Sequence, residues 1–325
     1  MRFVVHDDQS SPQVALQIVT QLLPKAPPVI LGSSLTAMCN AMAPLMRQGP
    51  VMYCYSPGIQ PEPGGYVFSA TVPTYGLVET MLRYFHRRGW KRVAVLMGTD
   101  ATGQDGDRAV DRALALPDLN DMTIVSRGHF NTSDVTVLAQ LERVKAAQPQ
   151  ALITWTTGTA MGLLLKGMAQ IDLDLPFAAS SGNVSYAFMR QYAAVLPRQL
   201  YLASNQGTAR GPRLSLDPRT EAAKKTYYEL FRTVDAIPDT GAEIAWDATM
   251  IAVAALRHAG PQPNAAAVRD YIAHLKDYVG ISGVYDFEKY PQRGLGPNSA
   301  VVVRYNPDGP SFEAISQLGG VPLDP

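Results

Sequence analysis

A charge imbalance is the first thing this sequence does without. Its 28 Lys and Arg equal its 28 Asp and Glu, so no net field draws it to nucleic acid or anionic lipid. The one basic run, "FHRRGWKR", reads as a solvated helix end before an apolar strand. Long apolar runs are missing too: none approaches the ~20 residues that a membrane-spanning helix needs, which argues against direct insertion. Cysteine is scarce, with only Cys39 and Cys54 and no Cys-x-x-Cys pair. A disulfide between them is conceivable, but two cysteines define no compartment. The five histidines are scattered without metal-site spacing, so no metal is expected.

Catalytic and cofactor motifs are also lacking. "GTDATGQDG" follows an apolar strand, but Gly98, Gly103 and Gly106 do not fit G-x-G-x-x-G and no Walker lysine follows, so no nucleotide cofactor is expected. There is no G-x-S-x-G elbow for a hydrolase. A hydrolase stays open as an alternative because a nucleophile and base can converge from distant positions. Asp7 and Asp8 could form a metal or phosphoryl-transfer pair, yet strand-ending acids with cap contacts are the simpler reading. No signal-peptide pattern precedes "RFVVHDD". Taken literally, that start implies a cytoplasmic chain.

What is present is an ordinary globular composition, 46% hydrophobic and 17% charged, in 325 residues, enough for two domains. Apolar bursts alternate with helical spacing. "RFVVHDD", "PPVILGS" and "PVMYCYSPG" read as strands around helices at Pro12 to Leu23 and Thr36 to Met46. A second series follows "YVFSATVP": helices at Tyr75 to Arg87, Asp105 to Leu116, Val135 to Ala147, a stretch ending at Met168, and Ser185 to Ala194. These alternate with the strands "RVAVLMG", "MTIVSRGHF", "ALITWTTG" and "LPFAAS". This rhythm predicts an α/β fold with parallel sheets flanked by helices. After "QLYLASNQG" comes a polar stretch, then helices at Thr220 to Val234, Thr240 to His258 and Ala265 to Leu275. "GISGVYDFE" reads as a strand, and "SAVVVRYNPDGPSFEAI" as a hairpin turned at "NPDG".

The strand tips share a composition. They read "SSLT", "YSPG", "GTDATG", "WTTGT" and "SSGNVS", rich in small hydroxyls and exposed amides. Ligands bind at such tips in open α/β sheets, and neutral hydrogen-bonding groups suit a neutral or anionic solute. The same residues also make turns and caps, so the five tips count together rather than singly.

In order and spacing, "VVHDDQSSPQVALQIVTQLL", "VILGSSLTAMCNAMAPLMRQGPVMYCYSP", "FSATVPTYG", "WKRVAVLMGTDATGQDGDRAV", "IAWDATMIAVAALRHAG" and "GISGVYDFEKYPQRG" resemble the periplasmic solute-binding proteins of the Leu/Ile/Val-binding type. That resemblance implies two Rossmann-like lobes joined by three crossings, a ligand cleft that closes in Venus-flytrap fashion, no catalysis, and a membrane permease of an ABC importer as partner. It places lobe I at 1–72 and 208–281 and lobe II at 73–207 and 282–325. Family members carry another strand and helix before the segment matching "RFVVHDD". An incomplete start is therefore the preferred reading, and with it the periplasm rather than the cytoplasm.

Carried over residue by residue, the resemblance assigns the ligand carboxylate to Thr36, four positions after Gly32, with Ala37 beside it, and to Tyr55, Ser56 and Pro57. Where relatives commonly carry Tyr, this chain has Thr102. Trp155 and Thr156 follow at the next tip, then Ser181, Gly182 and Asn183. Relatives that bind amino acids place an acid where Ser181 stands. Ser34, Tyr75, Gln206 and Trp246 complete the expected lining. A buried ammonium without a counter-charge costs several kcal/mol. The expected ligand is therefore an aromatic or hydrophobic carboxylate, with Tyr55, Tyr75 and Trp155 as flat walls. Glu243 is the one alternative source of negative charge. A branched-chain amino acid or amide receptor, including a sensory or regulatory one, is the competing reading within the family.

Overall fold

The computed structural model describes residues 1–323. Chain contacts divide it into two units, one of Met1–Thr71 with Ala242–Gly296, the other of Val72–Gly241 with Pro297–Pro325. The chain therefore passes between units three times, after residues 71, 241 and 296.

The first unit opens with α1 (Pro12–Leu22), β1 (Val29–Leu31), α2 (Thr36–Met42), β2 (Val51–Cys54) and β3 (Val67–Ser69). Proline at its start and the Ser11 hydroxyl, which accepts from the Val14 N–H at 3.4 Å, begin α1. The three strands are parallel in the order β1-β2-β3. Side chains of β2 alternate between two cores. Met52 and Cys54 join Ala15, Val19, Met38 and Met42 of α1 and α2, and Cys39 is disulfide-bonded to Cys54. Tyr53 lies on the other face, its ring 5.7 Å from that of Phe68.

The second unit continues with α3 (Thr74–Arg87), β4 (Arg92–Gly98), α4 (Ala101–Leu114), β5 (Thr123–Phe130), α5 (Leu138–Ala146), β6 (Ala151–Ile153), α6 (Gly158–Gln170), β7 (Phe177–Ala179), α7 (Tyr186–Gln191), β8 (Leu200–Ser204) and α8 (Pro218–Arg232). The chain returns to the first unit in α9 (Thr240–Ala259), α10 (Ala265–Ala273), β9 (Tyr278–Val279) and β10 (Val284–Tyr285), and ends in the second with β11 (Val301–Asn306) and β12 (Ser311–Ala314). The second unit's sheet has seven strands in the order β12-β11-β8-β7-β6-β4-β5. Strands β8 through β5 run parallel, while β11 is antiparallel to β8 and β12. "VAVLM" in β4 is buried throughout, as a strand covered on both faces requires.

The βα rhythm and the closing hairpin match the sequence reading, with four differences. Residues 2–7 form no strand and are exposed. No neighbour pairs with them, and Asp7 and Asp8 instead accept the Gln9 and Ser10 N–H groups at 2.8 and 2.9 Å, the turn role rather than a metal or phosphate one. Helix α4 begins at Ala101 rather than near Asp105, because the Asp100 carboxylate caps it by accepting the Gly103 N–H at 3.0 Å. "GISG" is a turn between β9 and β10 rather than part of one strand. Finally, the second and third crossings follow residues 241 and 296, where the sequence reading places them after 207 and 281. Local bonds account for both. Lys224 and Tyr228 of α8 donate to the carbonyls of Ala209 and Gly207 at 2.9 and 2.8 Å, within the second unit. Residues 281 and 282 donate to Asp247 of α9, within the first.

Candidate functional site

In the first unit the tips of β1 and β2 lie side by side. Gly32, at φ +105°, donates its N–H to the Tyr53 carbonyl at 2.8 Å, and Tyr55 donates to the Ser33 carbonyl at 2.9 Å. Only glycine adopts that φ without strain. The turn places Thr36 at the start of α2, where the preceding Leu35 provides no side-chain cap. Instead of capping the helix, the Thr36 hydroxyl meets the Ser56 hydroxyl at 2.7 Å, and Ser56 Oγ accepts the Gly58 N–H at 3.2 Å. Both residues are buried.

These hydroxyls carry two protons and share one contact. Whichever donates to the other, one O–H is left uncommitted, so the pair offers a donor to an incoming oxygen. Tyr55 stands beside them half-buried, and burial raises the pKa of its hydroxyl. Ala37 and Pro57 are half-buried in the same tips, and Ser34 is exposed. Trp246 is half-buried on α9.

In the second unit the β6 and β7 tips are tied together. The Thr156 carbonyl accepts from Ser180 Oγ at 3.0 Å and from Asn183 Nδ2 at 2.8 Å, and the same amide nitrogen lies 3.1 Å from Ser180 Oγ. These contacts fix which way the amide faces, leaving the buried Asn183 Oδ1 as an acceptor without a protein donor. Ser181 is buried and among the described residues makes no side-chain hydrogen bond, and Gly182 beside it is exposed. Thr102 is half-buried in the first turn of α4. The residues of the β7 tip, Ser180 to Asn183, include no carboxylate.

Three of the expected lining residues, and Glu243, have other duties. Trp155 is 1% exposed, and α4 lies so close that a Cβ on Gly106 would come within 2.3 Å of its side chain. It supports the tip from within rather than presenting a wall. One face of Tyr75 is covered by the Arg112 guanidinium, 3.8 Å from the ring centroid. Gln206 is buried and donates to the Ser299 carbonyl at 3.2 Å. Glu243 is buried within the first unit and accepts the Ser282 hydroxyl at 2.9 Å.

The sequence reading missed Arg293, which is buried and donates to the Pro57, Ile59 and Thr71 carbonyls, bracing the β2 tip from below. It also missed Asp247, buried one turn beyond Glu243. No periodicity marks a buried charge in a loop such as "PQRG". Asp247 was open to notice as a helix acid on the apolar side of α9. Among the described residues no group of three His, Cys, Asp or Glu is placed to hold a metal, and no helix is long and apolar enough to cross a membrane.

Two α/β units joined by three crossings, with polar strand tips in each, define a two-lobed binding-protein architecture. The chain belongs to the periplasmic binding protein family, whose model matches residues 1–310. Its fold is shared by an extracellular ligand-binding receptor from Rhodopseudomonas palustris HaA2, at a TM-score of 0.81 and 18% identity over 96% of this chain and 89% of that one. The leucine-binding protein LivK of Thermotoga maritima aligns at 0.80 and 16%, over 96% and 87%. LivJ of Streptococcus pneumoniae, a branched-chain amino acid binding protein in complex with isoleucine, aligns at 0.78 and 16%, over 97% and 87%. No curated protein sequence matches the chain.

Proposed function

We propose that this chain is the extracytoplasmic solute-binding receptor of an ABC importer and takes a small carboxylate-bearing solute, an aromatic or hydrophobic acid, by lobe closure. The observation that carries the reading is the uncommitted hydroxyl proton of the Thr36–Ser56 pair, a buried donor on an uncharged tip. A carboxylate oxygen is the natural acceptor, and a donor to a charged group counts for more than one to a neutral group. The absence of an acid at Ser181 disfavours an ammonium. Asn183 Oδ1 is the group suited to a hydroxyl on the solute. The periplasm is the compartment that fits the Cys39–Cys54 disulfide.

A thermal-shift screen of benzoate, phenylacetate and cinnamate-type acids against aliphatic amino acids and amides tests the class. A true ligand at one hundred times its Kd stabilises the fold by about 2.7 kcal/mol. The aromatic acids are expected to raise Tm and leucine to leave it unchanged. A shift with leucine or isoleucine alone would transfer the assignment to an amino acid receptor.

A further inference from the structure

The first unit contains a buried carboxyl that the ligand-binding tips do not use. Asp247 is 2% exposed, and among the described residues no Lys, Arg or His pairs with it. Its Oδ1 accepts the Ile281 N–H at 2.9 Å and its Oδ2 the Ser282 N–H at 2.9 Å. Oδ2 also lies 2.8 Å from the Tyr285 hydroxyl, which in turn lies 2.9 Å from the Ala70 carbonyl. Gly280 permits this approach, since a Cβ there would come within 2.6 Å of Oδ2.

Counting protons decides the state of the group. The contacts from Asp247 to Tyr285 and from Tyr285 to Ala70 need a proton each, and tyrosine has only one to give. With an ionised Asp247, either Tyr285 and Asp247 or Tyr285 and Ala70 would face each other as two acceptors at hydrogen-bond distance. With a neutral Asp247, the carboxyl donates to Tyr285, Tyr285 donates to Ala70, and the Ser282 N–H still finds a lone pair on Oδ2. Every group is then satisfied.

We propose that Asp247 is kept as the neutral carboxylic acid at neutral pH and heads a hydrogen-bond chain, Asp247 to Tyr285 to Ala70, that clamps the crossing segments inside the first unit. Ala70 lies just before the first crossing, Asp247 follows the second on α9, and Tyr285 leads toward the third. Arg293, on the third segment, reinforces the same junction by donating to the Thr71 carbonyl. Asp247 is thus a positioning residue: it fixes where the crossings start and touches no ligand-binding tip. Burial, the larger influence, opposes the ionised form, which the Ile281 and Ser282 N–H groups favour; the hydroxyls of Tyr53, Tyr278 and Tyr285 lie nearby, and among the described residues no cation pairs with it. Burial pushes the Asp247 carboxyl up in pKa, and Tyr278 up to about 12. What the clamp is for rests on the receptor reading; the protonation does not.

Infrared difference spectroscopy at neutral pH tests it on the full chain. The wild type minus Asp247→Asn spectrum is expected to show a protonated carboxyl C=O band. Tyr285→Phe, which keeps the ring against Phe287, is expected to move that band upward as the carboxyl loses its acceptor. It is also expected to speed amide exchange across residues 66–71 roughly tenfold, the size of one net hydrogen bond. If Asp247→Asn does not fold, the displacement in Tyr285→Phe alone serves. No protonated band, or a band that Tyr285→Phe leaves unmoved, would overturn the assignment. Neither result depends on a ligand, so failure here is distinct from a failed solute screen.

Discussion

Gly103→Ala is expected to cost the second unit about 3 kcal/mol or more, the upper range for forcing atoms into a filled site. A Cβ at this position would lie 2.0 Å from the Gly98 carbonyl oxygen and 2.5 Å from its carbon. Both obstacles are backbone, so no rotamer change relieves them. The strand β4 and the first turn of α4 would have to separate, carrying away the Asp100 cap and the turn that presents Thr102. Gly309→Ala is the control, because nothing lies within 4 Å of a Cβ there, and its effect should stay within about 0.5 kcal/mol. Urea unfolding followed by far-UV circular dichroism compares them; equal midpoints would refute the close packing.

Reducing the disulfide, or replacing Cys39 and Cys54 together by alanine, is expected to destabilise the first unit by about 3 kcal/mol, since releasing a loop of this size restores entropy to the unfolded chain. The bridge joins α2 to β2 across a sequence separation of 15, with Cα atoms 6.0 Å apart. It fastens the helix that carries Thr36 to the strand that leads to Ser56, so its loss should also weaken solute binding. A transition unchanged by a reducing agent would mean that the bond contributes nothing to the folded unit.

The order of elements was legible because it rests on periodicity, which is local. The buried run of β4, the amphipathic α3 and the β11–β12 hairpin each carry their own pattern. The crossings were less so. Whether α8 belongs with the first or second unit depends on Lys224 and Tyr228 reaching carbonyls some fifteen to twenty residues earlier, and no window on the sequence contains both ends. "RFVVHDD" has a strand's composition, but a strand exists only with a neighbour to bond, and composition does not supply one.

The site divides in the same way. Thr36, Ser56 and Asn183 were singled out from hydroxyl-rich strand tips, and in the structure all three are buried with hydrogen-bond partners. Trp155 was chosen as an aromatic at a tip, yet the pleat and the close approach of Gly106 turn it beneath α4. Arg293 and Asp247 escaped because their meaning lies in what they reach: carbonyls and N–H groups of segments far away in sequence. The resemblance pointed to the tips, and which of their groups bond to one another was visible only in the structure.

The most direct measurement is isothermal titration of the purified chain with a benzoate-like acid and with leucine, repeated on the double variant Thr36→Val with Ser56→Ala, which removes both hydroxyls of the pair. Saturable binding of the aromatic acid, none of leucine, and a roughly ten- to hundredfold loss of affinity in the double variant, as expected for one hydrogen bond to a charged group, is the predicted result. Tight leucine binding without aromatic-acid binding, or an affinity indifferent to the loss of both hydroxyls, would contradict the account.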